Sequence, residues 1–152
     1  MSRSTTHARF VLDRVYDVSP ARVFAAWADV EAKAAWFGPG GEQSLELDFR
    51  EGGREHFQAS GGDAVYSYDA LYEDIVADER IVYTYSMRRD GVRISVSVTT
   101  VELFPEGDRT RLRFTEQAVF LDGEDTPEIR EHGTNQLLDQ LGAALAGSTG
   151  RG

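Results

Sequence analysis

The sequence predicts an α+β fold: a curved antiparallel sheet wrapped around one long C-terminal helix, with two short helices after the first strand. Three observations predict it. Residues 126–146, TPEIREHGTNQLLDQLGAALA, read as a single helix. From Leu45 onward the hydrophobic period changes to two, and glycine-bearing turns recur between consecutive strands, the pattern of an antiparallel meander. A strongly twisted sheet has one face to bury, and this helix is the only element long enough to cover it.

In chain order, His7 to Val18 reads as a strand, with Phe10, Leu12 and Tyr16 alternating against Val11, Asp13 and Val15. Ser19 caps a helix with Pro20 at its first position, and Val23, Phe24 and Trp27 follow at helical spacing. Asp29 caps a second short helix, Val30 to Trp36, which the loop Gly38-Pro39-Gly40-Gly41 stops.

Leu45, Leu47 and Phe49 then alternate with Glu46, Asp48 and Arg50 as a half-buried strand. Gly52-Gly53 turns the chain into a strand near Arg54 to Ala59. Ser60 to Asp63 turns it into Ala64 to Val76, and Arg80 to Arg88 follows. Asp90-Gly91 is a tight-hairpin signal before Val92 to Phe104. Pro105 to Asp108 leads into Arg109 to Phe120, which makes about six meandering strands. The first strand is expected to pair with a late one and close the edge.

The last helix has Thr126 as cap, Pro127 at its first position and Glu128 where the helix dipole favours negative charge. Gly147 and a polar, disordered tail over 147–152 are expected to end it. At about 100° per residue, Leu137, Leu138, Leu141, Ala144 and Leu145 share one face. Carried back, that face gives Thr134 and then Arg130, while His132 falls opposite with Asp139 and Ala143. A sheet closing on this helix packs tightly at the leucine end and leaves a gap near Thr134. The alternative is that Arg130 snorkels to the surface and Thr134 is ordinary first-turn polarity.

Bulk properties narrow the function. The 152 residues suit one domain, and 41% hydrophobic with 28% charged residues is an ordinary globular composition. A net charge of −10 argues against nucleic acid as a partner and against docking on an anionic membrane. No stretch is apolar and long enough for a signal peptide or a membrane span. With no cysteine, thiol chemistry and cysteine zinc sites are excluded, which suits the cytoplasm. The three scattered histidines give no metal-ligand spacing, and no cofactor fingerprint is present.

Several stretches together resemble one family. They are Arg14 to Trp36, with Pro20, Val23, Phe24, Trp27 and Trp36 in the family's spacing; Phe49 to Arg54; Asp78 to Thr84; and Gly133 with Leu138, Asp139 and Leu141. From about Phe10 to Ala146 the chain resembles the START-like (SRPBCC) superfamily, in the branch related to the C-terminal domain of the heat-shock-protein-90 ATPase activator. The resemblance implies a helix-grip fold with a cavity between sheet and long helix, and it allows a homodimer. It does not say what enters the cavity, which relatives use for sterols, lipids, polyketides or hormones. Many relatives carry Trp directly after the glycine where this chain has Thr134, a change that enlarges the interior. The activator's separate N-terminal domain has no counterpart, so a co-chaperone role is not implied.

The candidate ligand contacts follow. Tyr66, Tyr68 and Tyr72 share one strand face by parity, as do Tyr83 and Tyr85 on the next; tyrosine joins apolar area to one hydroxyl. The bland reading is strand propensity alone. Trp36 and Phe37 form a lid at the cavity mouth or staple the short helix to the sheet. Arg130 with Thr134 binds a carboxylate or carbonyl, unless an internal acid takes the guanidinium. His56 shares a solvent face with Arg54 and Gln58, and His7 lies in a fraying terminus. Adjacent carboxylates such as Glu73-Asp74 and Asp78-Glu79 point to opposite strand faces and read as surface charge.

The leading reading is a binding module for a small, hydrophobic molecule. A cyclase- or aromatase-like enzyme acting on a carbonyl is the second, and a chaperone-associated interaction domain without a ligand the third.

Overall fold

The computed structural model describes residues 3–37 and 45–149. Its elements run β1 (Thr5–Tyr16), α1 (Pro20–Ala28), α2 (Val30–Ala34), β2 (Glu46–Leu47), β3 (Arg54–Gly61), β4 (Ala64–Val76), β5 (Arg80–Arg89), β6 (Val92–Glu106), β7 (Arg109–Leu121) and α3 (Pro127–Thr149). The strands form one seven-stranded sheet in the order β1-β7-β6-β5-β4-β3-β2, every pair antiparallel. β1 pairs with β7 from Thr5↔Leu121 to Tyr16↔Thr110, so the first strand lies beside the last, as expected.

Local chemistry explains the boundaries. Ser19 Oγ accepts from Arg22 N and Asp29 Oδ2 from Ala32 N, so both predicted caps form. At Asp90-Gly91 both residues have positive φ, 52° and 84°, the backbone that a tight two-residue hairpin turn needs.

Several features differ from the sequence expectation. The second helix ends at Ala34 rather than Trp36. The strand expected over 45–49 is only two residues of ladder. Beyond Leu47 the chain turns at once, with Asp48 N bonded to Arg54 O and Gly53 N to Arg50 O. A Cβ on Gly53 would stand 2.0 Å from Asp48 O, so the turn closes only around glycine. The alternation still holds, since Leu45 is buried and Leu47 and Phe49 pack against the core. His7 is not frayed but sits inside β1 opposite Val119. Gly147 does not stop α3, which keeps helical backbone through Thr149. The loop 38–41 and residues 150–152 of the expected tail lie outside the described residues.

α3 lies across the concave face. Its leucine end is closed: Leu138, Leu141 and Leu145 are buried among Leu12, Val23, Val101 and Leu112. Tyr16 fixes the seat, donating its OH to Leu138 O at 2.8 Å. A Cβ on Gly142 would come within 3.1 Å of that ring, so the glycine lets helix and strand approach. Arg14 adds a 2.7 Å bond from Nη2 to Asn135 Oδ1.

Candidate functional site

The expected gap is present. Between the first turns of α3 and the concave face of β3–β7 lies a cavity of about 380 Å³, within the range that holds a small organic ligand. Its wall follows from strand parity. Phe57 on β3, Tyr68 on β4 and Met87 on β5 stand in one register row, with Tyr83 and Tyr85 beside them on β5 and Phe114 behind. Trp27, Trp36 and Phe37 close one end. The rings interlock: Phe57 stacks on Tyr68 at 5.0 Å, and Phe37 meets both edge-on. On the helix side Gly133, Thr134 and Leu137 line the space, and Ile129, 64% exposed, stands at its rim.

Seven of the eight sequence-predicted contacts line this cavity: Trp36, Phe37, Tyr68, Tyr83, Tyr85, Arg130 and Thr134. Tyr66 is not among the lining residues. It shares a face with Tyr68 but lies near the strand end, opposite Arg89, with which it interacts. Thr134 is 5% exposed, so the helix face was read in the right sense. Its Oγ1 donates to Arg130 O at 2.9 Å, which satisfies the hydroxyl within the helix. His56 bonds Asp69 on the outer face at 2.7 Å, and His132 is exposed.

Arg130 takes the internal-acid alternative. Nη2 donates to Asp125 Oδ2 and Ser95 Oγ, each at 2.8 Å. Nη1 reaches Tyr85 OH at 2.9 Å, Glu116 Oε2 at 3.2 Å and Ser97 Oγ at 3.4 Å. Burial works against the charge, but Tyr85, Glu116 and Asp125 outweigh it and hold the guanidinium above its ordinary pKa. Glu116 Oε2 also accepts from Tyr85 OH at 2.6 Å and Ser97 Oγ at 2.7 Å. Burial, and then the nearby Glu116, push the Tyr85 hydroxyl far above the usual phenol range.

A second buried ionic group stands behind the aromatic end wall. Lys33 on α2 is fully buried, 4.4 Å from the Phe37 ring centroid and 5.3 Å from that of Trp27. Its partners are Glu55 and Tyr72, and Tyr72 OH makes a very short bond to the same Glu55 oxygen. Burial draws the lysine pKa below its ordinary value, opposed by Glu55.

Neither buried acid was foreseen. Glu116 stands in phase with Leu112, Phe114, Ala118 and Phe120, and Glu55 in phase with Phe57. An acid on the apolar phase of a strand was the available signal. Lys33 had none, because a five-residue helix carries too little periodicity.

A curved sheet closed on a C-terminal helix, with a cavity at the open end of their contact, defines the START-like helix-grip class. Residues 17–146 match the family described as Activator of Hsp90 ATPase homolog 1-like protein, and the chain belongs to that family. A solved protein from Rhizobium leguminosarum is 43% identical with a TM-score of 0.91, over 96% of this chain and 99% of that one. Mll3558 from Rhizobium loti is 44% identical with a TM-score of 0.88, over 93% and 99%. CalU16 from Micromonospora echinospora shares the fold at 20% identity and a TM-score of 0.62, over 99% and 90%. No curated protein matches the chain. Among the described residues no helix is long and apolar enough to cross a membrane.

Proposed function

We propose that this protein binds a small, largely apolar molecule in the cavity between sheet and α3, with Trp36, Phe37, Tyr68, Tyr83, Tyr85, Arg130 and Thr134 in its wall. The observation that carries the reading is the cavity itself. Packed interiors hold few voids, and about 380 Å³ lined by aromatic side chains is of a size and chemistry that takes a small apolar ligand. Thr134 supports it: a small residue stands on the buried helix face where bulk would close the space. Native mass spectrometry of freshly purified protein tests the reading. A co-purifying small molecule, released on denaturation, is the expected result.

A second reading, acid–base chemistry on a bound substrate, is favoured by one observation: Glu116 and Tyr85 are buried ionisable groups in the cavity wall. If turnover occurs, Glu116→Gln abolishes it while leaving binding of an apolar probe.

A further inference from the structure

The geometry points to a ligand that enters the cavity with a neutral hydrogen-bond donor, such as a phenol, enol or alcohol, and not with a carboxylate; this rests on the binding reading above. Arg130 is the obvious hook for an anion, but its terminal nitrogens are already spent on Asp125, Glu116, Tyr85 and the serines of β6. Two carboxylates face one guanidinium. An arriving carboxylate would meet an excess of negative charge in a poorly screened interior.

What the wall leaves over is one carboxylate oxygen and one phenol hydroxyl. Glu116 Oε2 takes three donors, while its Oε1 is buried with no partner. Tyr68 OH is likewise buried and unpartnered. Tyr85 connects the two: its OH donates to Glu116 Oε2 at 2.6 Å, and its ring packs against that of Tyr68 at 4.9 Å. A buried acceptor left unpaired costs about 1–3 kcal/mol, more when charged. Glu116 and Tyr68 are both in the cavity wall. A hydroxyl on the ligand satisfies Glu116 Oε1 by donating to it, and its oxygen accepts in turn from Tyr68 OH. The flat ring faces around them suit a planar apolar body.

Isothermal titration with three naphthalenes of matched size tests this: 2-naphthol, 2-methoxynaphthalene and 2-naphthoate at neutral pH. Naphthol is expected to bind about tenfold or more tighter than its methyl ether, with naphthoate weakest. Tyr68→Phe removes only an oxygen that has no partner, so it keeps the fold and reduces the preference for naphthol. Glu116→Gln, if it folds, removes that preference and raises the affinity for naphthoate. Equal binding of naphthol and its ether, or tightest binding of naphthoate, overturns the inference while the binding reading stands. Failure of all three probes to bind overturns both.

Discussion

Lys33 Nζ lies 2.7 Å from Glu55 Oε1, and neither side chain reaches solvent. This pair joins α2 to β3 and stands behind the aromatic end of the cavity. Charges so placed are costly to bury and costlier to leave alone. Lys33→Met strands Glu55, and Glu55→Leu strands Lys33. Each single change is expected to destabilise the protein by about 3–5 kcal/mol in urea unfolding. The double change is expected to recover most of that loss, because the ring box accepts apolar side chains. Additive losses would show that the pair does not act as a unit.

Five of the six tyrosines have pKa values raised by burial: Tyr16, Tyr68, Tyr72, Tyr83 and Tyr85. A group whose folded pKa lies above its unfolded value contributes stability that is fully present below the unfolded pKa, here 10.0. That contribution is lost as pH rises past 10.0 towards the folded values. Lys33 works the other way: its lowered pKa adds stability as pH rises towards its unfolded value of 10.5, but it is one group against five. Stability is therefore expected to fall steeply above pH 10.0. Phenolate absorbance of these five should appear together with unfolding. Gradual ionisation of all six tyrosines in a folded protein would contradict the burial described here.

Arg130→Met removes the cation that Glu116 and Asp125 share. Arg130 is 12% exposed at its side chain, so the expected cost is about 3 kcal/mol, at the low end for a broken buried pair. A thermal melt in low and high salt checks it. A loss that salt cancels would mean the cluster is better solvated than its burial implies.

Gly91 has φ of 84° in the β5–β6 hairpin. Gly91→Ala is expected to cost about 1 kcal/mol through backbone strain alone, since nothing lies within 4 Å of the added Cβ. A denaturation midpoint unchanged from wild type would remove strain as the reason for glycine there.

Much of this architecture was legible in the residues, for identifiable reasons. Ser19, Asp29 and Thr126 announce helix starts because a capping oxygen needs a fixed place relative to the first free N–H groups. Asp90-Gly91 announces a hairpin because few residues tolerate positive φ. The cavity's helix side was legible from the wheel that placed Thr134 and Arg130 on the buried face. Tyr66 shares the face of Tyr68 but is not among the residues lining the cavity, because parity gives the face of a strand and not the distance along it. Partners were the least legible layer. Whether Arg130 meets a ligand or Glu116 depends on which strands become neighbours, and the contact with Glu116 spans elements that periodicity treats separately. The early stop of β2 was hidden for a similar reason: alternation persists to Phe49 even though the ladder ends at Leu47.

Thr134→Trp bears most directly on the central claim that the space beside the first turns of α3 is a ligand site. The indole fills part of a cavity of about 380 Å³, so strain is expected to stay below the roughly 1–3 kcal/mol typical of overpacked cores. The measurement is calorimetric titration of 2-naphthol into wild type and into this variant, each with a melting curve. The account predicts saturable one-to-one binding to wild type and none to Thr134→Trp, with melting temperatures only a few degrees apart. Equal binding by the two proteins would place the ligand elsewhere and contradict it.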